Sequence, residues 1–289
     1  MIENVESITA KLCSFARANH SICEQHSKKI FDDFLAFKLM GSVDYLNAKE
    51  IIKKNFYSLN PIKFINEYIC PIVLPRIAYA ESHLCKFANK HKQIQYVILG
   101  AGMDTFSLRN KNMNIKIFEL DYPSTQKYKL EKIKTSGLKI SKNVTFVPVD
   151  FERENIRDVL KKYDFHFSLP TFFSFLGVTY YLDFNSLEKS IKSISVLQNK
   201  SIEIVFDFPD KTICRNRKTK LLANITAAVG EPMTDGHDFI EIKNLLEKYN
   251  FIINNHLIPQ KIQDTYLKHN KKLKAYDNIH FISATKEKL

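Results

Sequence analysis

Gln95-Tyr-Val-Ile-Leu-Gly-Ala-Gly-Met-Asp-Thr-Phe-Ser-Leu-Arg109 carries the strongest structural signal in this chain. Tyr96 to Leu99 is a short apolar run, the pattern of a strand covered on both faces. It breaks into Gly100-Ala101-Gly102, where a tight turn is allowed and a ligand can approach the backbone closely. Asp104 and Thr105 then supply polar groups where the chain turns toward a helix. Strand, glycine turn and helix start together make the first nucleotide-binding crossover of a doubly wound α/β sheet.

The third glycine of the dinucleotide fingerprint is absent, which argues against a pyrophosphate ligand and an oxidoreductase. The next apolar segment, Ile115-Lys-Ile-Phe-Glu-Leu-Asp121, ends on an acid about 20 residues after the glycines. At that spacing a strand-end carboxylate can accept hydrogen bonds from ribose hydroxyls. Such a pair suits a nucleoside ligand without phosphates, of which S-adenosylmethionine is the commonest.

Leu99-Gly-Ala-Gly-Met-Asp-Thr105 with Phe118-Glu-Leu-Asp-Tyr-Pro123 closely resembles the leucine carboxyl methyltransferase superfamily. That group includes many bacterial small-molecule and polyketide O-methyltransferases. The resemblance implies a Rossmann-like class I sheet, mostly parallel with an antiparallel last strand, and S-adenosylmethionine as cofactor. It implies an N-terminal helical cap over 1–90, integral to the fold, and a methyltransferase domain over 91–289. Gly100, Gly102, Asp104 and Asp121 are its first cofactor-binding residues.

Further positions follow from the same resemblance. Arg76, in Pro75-Arg-Ile-Ala-Tyr-Ala-Glu-Ser-His-Leu84, matches the family arginine that grips the cofactor carboxylate, a natural role for a guanidinium. An ordinary surface arginine is the alternative. Asp150 and Phe151 match the pair that contacts adenine; Asp150 as a helix cap is the competing role. In Leu169-Pro-Thr-Phe-Phe-Ser-Phe-Leu-Gly-Val-Thr-Tyr-Tyr-Leu182 the family glutamate that holds the cofactor's amino group is replaced by Leu176, whose backbone carbonyl is one substitute. Tyr181 matches the tyrosine near the transferred methyl group, or is a core aromatic. The same stretch lacks the Asn/Asp-Pro-Pro-aromatic turn of adenine-methylating DNA enzymes.

Periodicity predicts helices over 2–19 (with Val5, Ile8, Leu12 and Phe15 on one face), 28–40 (closed by Gly41), 46–57 and 62–90, the last interrupted by Pro71 and Pro75. Asp32 and Asp33 fall at a solvated helix start. Helices are expected at 124–135, 152–162 and 185–197, strands at 144–150 and 201–207, and a fourth strand region over 169–182. Residues 211–236 read as a basic stretch and a loop beside the pocket, and His237-Asp238 as a cap for a helix over 239–249. Strands at 251–258 and 279–285, with no long crossover between them, are expected to pair antiparallel.

The 289 residues are 45% hydrophobic and 26% charged, ordinary for a soluble globular protein. No apolar run approaches the roughly 18 residues of a membrane span, and the acidic N-terminus is unlike a signal peptide. Five cysteines without a CxxC pair suggest neither a disulfide frame nor a zinc site, so a reducing, cytoplasmic setting is expected. The formal charge of +12 is spread over dispersed lysines, so a solvated surface is expected rather than a nucleic-acid site.

The expected activity is O-methylation of a small-molecule carboxylate or hydroxyl. A protein C-terminal carboxylate or tRNA modifier, or an idle cofactor-binding protein, is the alternative. Methyl transfer from a sulfonium is an in-line displacement in which the protein positions the acceptor and excludes water. A carboxylate acceptor needs no base, whereas a hydroxyl does, and no histidine is placed to choose between them.

Overall fold

The computed structural model describes residues 7–56, 60–151, 153–197, 200–213, 217–228 and 230–287. Helix α1 (Ile8–Cys23) begins at Ser7, whose hydroxyl accepts the Ala10 amide, and buries Leu12, Phe15 and Ala16. Val5 and the rest of 1–6 lie outside the described residues. The helix expected over 28–40 is replaced by a single turn at His26–Lys28 and irregular chain, before α2 (Ala36–Phe56). Gly41, non-helical at φ 77° and ψ 159°, ends the first helical part of α2 as expected, and a second helical part starts directly after it rather than at 46.

Asn60 caps α3 (Pro61–Tyr68), and α4 runs Cys70–Asn89. The break between them falls at Ile69, not at the prolines. Pro71 occupies the first turn of α4, where its missing N–H is no loss, and α4 continues through the buried Pro75.

The α/β part then follows the expected order. It contains β1 (Ile94–Leu99), α5 (Phe106–Arg109), β2 (Ile115–Asp121), α6 (Pro123–Thr135), β3 (Val144–Pro148) and α7 (Ile156–Leu160). Next come β4 (Thr171–Phe175), α8 (Phe184–Ser195), β5 (Ser201–Pro209) and α9 (Arg217–Ala228). The chain ends with α10 (Phe239–Lys248), β6 (Ile252–Leu257) and β7 (Ile279–Glu287).

Three boundaries differ from expectation for local reasons. Helix α7 is shorter than 152–162 because Asn155 caps it, accepting the Arg157 amide; Asp150 is therefore not its cap. Strand β4 stops at Phe175, and Thr179–Tyr181 form a helical turn. The stretch 211–236 holds α9 rather than only a loop. Asp238 does cap α10, in a reciprocal box with Glu241.

The sheet order is β3-β2-β1-β4-β5-β7-β6. β1 to β5 pair in parallel, with Leu99 beside Leu120 and Phe175 beside Phe206. β7 runs antiparallel to both β5 and β6, as the missing crossover predicted. One face of the sheet packs Tyr96, Phe172 and Phe281 against α4 residues Tyr79, Leu84 and Phe87. The other packs Phe118, Phe173 and Phe206 against Val159 of α7, Leu187 and Ile191 of α8 and Leu246 of α10. Each such buried side chain contributes about 1.5–3 kcal/mol. Strand order reverses between β1 and β4, and crevices at such points receive ligands.

Candidate active site

A cavity of about 510 Å³ opens at that reversal, beyond the carboxyl ends of β1, β2 and β4, within the roughly 300–1,000 Å³ usual for a small-molecule site. Every residue singled out from the sequence as cofactor-binding or catalytic lines it. Gly100 and Gly102 form its floor with positive φ, 68° and 50°. The Gly100 and Ala101 amides bind the Leu120 carbonyl at 2.9 and 3.1 Å, locking the turn to β2. A Cβ at Gly100 would stand 2.6 Å from Val178 Cγ2, so only glycine fits there.

Asp121 is 7% exposed and ends β2 against this turn. It accepts the Gly102 amide through Oδ2 and the Tyr122 amide through Oδ1, the latter at 2.7 Å. Burial pushes its carboxyl up to about 6, against the opposing pull of those two amides. Asp104 turns inward to accept the Phe106 amide at 2.6 Å and steadies the start of α5. Asp150, with Arg153 Nε 3.5 Å away, and Phe151 stand beyond the end of β3. Leu176 and Tyr181 come from the turn after β4.

Arg76 is not a surface arginine. Its Nη1 lies 3.3 Å from Oδ2 of Asp207, whose side chain is fully buried. Burial opposes the arginine's charge, but Asp207 beside it holds the guanidinium protonated. Asp207 also accepts the Gly177 amide at 2.7 Å and the Tyr180 hydroxyl at 2.9 Å. Nε of Arg76 is buried without a hydrogen-bond partner, a donor left for a ligand. Burial pushes the Tyr181 phenol well above its ordinary range, so it stays protonated at neutral pH.

Four other residues of this region had no role in the sequence analysis. Asp207, near the carboxyl end of β5, lies buried behind the cavity lining and touches it through Arg76 and Gly177, and an acid near the carboxyl end of a buried strand was a usable signal. Cys13 and Thr9 on α1 and Glu231 after α9 line the cavity from opposite ends of the chain, with no local signal to find them. Asp33 is a correction. It is 1% exposed, not solvated, because it takes Arg17 Nη1 at 2.7 Å and the Thr105 hydroxyl at 2.5 Å. Arg17 also donates to the Met103 carbonyl at 2.7 Å, so this pair ties the N-terminal helices to the glycine turn. Asp32 pairs with Lys29 at 3.0 Å.

The donors and acceptors suit the cofactor expected from the sequence. Carboxylates at two strand ends can take hydroxyl and amino protons, Phe151 can pack a flat ring, and the orphaned Arg76 N–H can meet a carboxylate. Leu176 brings no side-chain acceptor. Among the described residues no cluster of three or more metal-ligating side chains is present.

This strand order, with the cavity at its reversal, defines a Rossmann-like class I methyltransferase. The chain belongs to the leucine carboxyl methyltransferase family, whose model matches residues 10–195, and it is a methyltransferase of that S-adenosylmethionine-dependent group. A relative from Bacillus subtilis (strain 168), "Putative S-adenosyl-L-methionine-dependent methyltransferase YktD", is 33% identical, across 99% of this chain and 100% of its own. A solved structure described as a putative methyltransferase from Thermobifida fusca YX shares the fold at TM-score 0.61 and 12% identity, covering 99% of this chain and 97% of its own. A DUF574 family protein from Streptomyces avermitilis MA-4680 does so at TM-score 0.56 and 10% identity, covering 99% and 100%.

Proposed function

We propose that this protein transfers a methyl group from S-adenosylmethionine to an oxygen of a small molecule. The observation that carries this reading is the continuity of one cavity. It runs from the strand-end acids Asp121 and Asp150 to an apolar chamber walled by Ile72, Val73 and Leu222. A cofactor and a small acceptor can therefore lie end to end under α1, away from bulk water. Asp121 is suited to the ribose hydroxyls, Asp150 and Phe151 to the adenine, and Arg76 to the carboxylate.

The cofactor supplies an activated methyl group; the chain's residues bind, orient and shield. Leu12, Leu176 and Met233 supply apolar lining that limits competing attack by water. Tyr181, protonated, offers a hydrogen-bond donor beside the chamber.

The test is calorimetric titration with S-adenosylmethionine, its demethylated product and NADH. Micromolar binding of either sulfur compound, lost in Asp121→Ala, is the expected result. Binding of NADH alone would overturn the assignment.

A further inference from the structure

The two ends of the cavity differ in chemistry. Ile69, Ile72, Val73, Leu222 and Met233, from the α3–α4 junction, α4, α9 and the segment after it, wall the end away from β2 and β3. Set into that wall is Glu231. Its Oε1 accepts the Ile8 amide at 3.0 Å, and its Oε2 accepts the Thr9 hydroxyl and the Ser7 hydroxyl, the latter at 3.2 Å. The Thr9 hydroxyl also shares a hydrogen bond with the Ser7 hydroxyl at 3.0 Å. Ser7, Thr9, Tyr181 and Glu231 all face the cavity.

Charge discriminates between possible acceptors. The arginines that line the cavity each have a carboxylate partner: Arg76 has Asp207 at 3.3 Å, Arg17 has Asp33 at 2.7 Å and Arg153 has Asp150 at 3.5 Å. No lysine or arginine among the described residues forms a salt bridge with Glu231. This end is therefore apolar with one carboxylate, met by the first amide of α1 and two hydroxyls but by no cationic side chain, which repels a second carboxylate and accommodates a neutral group.

We infer that the methyl acceptor is an apolar, uncharged hydroxyl compound, and that Glu231, acting through Thr9, receives the proton of that hydroxyl. The inference rests on the methyl-transfer reading above and deepens it. The proton balance closes within the site. The acceptor oxygen bonds to the methyl carbon as the carbon–sulfur bond breaks, with the electron pair remaining on sulfur. The hydroxyl proton passes to Thr9 Oγ1 while the proton of Thr9 passes to Glu231 Oε2. Tyr181, whose phenol burial raises, keeps its own proton.

Matched probes test this: 4-propylphenol and 4-propylbenzoate, of the same shape but different charge. In calorimetry on the protein alone, the phenol should bind at least about tenfold more tightly, and Glu231→Gln should narrow that gap by strengthening the benzoate. With labelled S-adenosylmethionine the phenol should be the one methylated. Glu231→Gln should then lower kcat by about 100-fold or more while leaving cofactor affinity in place.

Thr9→Val should reproduce that loss and Thr9→Ser should restore turnover, which separates proton transfer from a folding defect. Preference for the benzoate, no methylation of the phenol by protein that binds the cofactor, or wild-type kcat in Glu231→Gln would each overturn the inference. Failure to bind the cofactor at all would instead overturn the methyl-transfer reading, and the inference with it.

Discussion

Asp207 Oδ2 lies 3.3 Å from Arg76 Nη1, and the same carboxylate also holds the Gly177 amide and the Tyr180 hydroxyl. One acid at the end of β5 therefore fixes α4 against the turn after β4, the two segments that bring Arg76, Leu176 and Tyr181 to the cavity. Removing one partner of a buried ion pair leaves an uncompensated charge, a cost of about 3–5 kcal/mol. Asp207→Ala should lower the urea midpoint by a corresponding amount. A midpoint equal to wild type would show that the carboxylate is not the tie described.

Gly177 has φ +73°, and a Cβ there would stand 2.5 Å from Arg76 Nη1. Gly177→Ala should cost roughly 1–2 kcal/mol from the left-handed backbone alone. It should also push the guanidinium from its place and weaken cofactor binding more than it weakens the fold. Calorimetry beside thermal melting separates the two effects; intact affinity would contradict the expectation.

Asp121 gives a pH dependence whose sign is determined. Its carboxyl is raised from 3.8 to about 6 by burial, so the folded state holds a proton the unfolded chain has released. This group's contribution to stability is therefore present at low pH and lost as pH rises through that window. Cofactor binding should move the opposite way, since the ionised carboxylate is the better acceptor for ribose hydroxyls. Affinity should fall by up to about tenfold per pH unit below 6. Titrations across that range should show the slope, and Asp121→Asn should flatten it.

Glu119 and Lys129 form an ion pair with both side chains 1% exposed, between β2 and α6. Lys129→Met alone should cost about 3–5 kcal/mol by stranding the acid, whereas Glu119→Leu with Lys129→Met should recover most of it. A double-mutant cycle in urea reads the coupling. Additive losses would mean the pair is not coupled in the fold.

How much was legible in the sequence depended on how local the cause was. The glycine turn, the strand before it and Asp121 were readable because apolar runs, positive-φ glycines and strand-end acids act within a few residues. The antiparallel β6–β7 pair was readable from the absence of a crossover. A boundary set by one capping side chain was not: Asn155 shortened α7. α9 was hidden inside a basic stretch that reads as a loop.

By itself the sequence determined the sheet, its reversal point and the glycine turn and strand-end acids that line one end of the cavity, since each depends on residues adjacent in the chain. Tertiary structure decided the rest. It buried Asp33 against Arg17, spent the charge of Arg76 on Asp207, and brought Thr9 to Glu231 across 222 positions. A charge acts through space and its partners are chosen by folding, so the chemistry of the acceptor end appears only once the chain has closed.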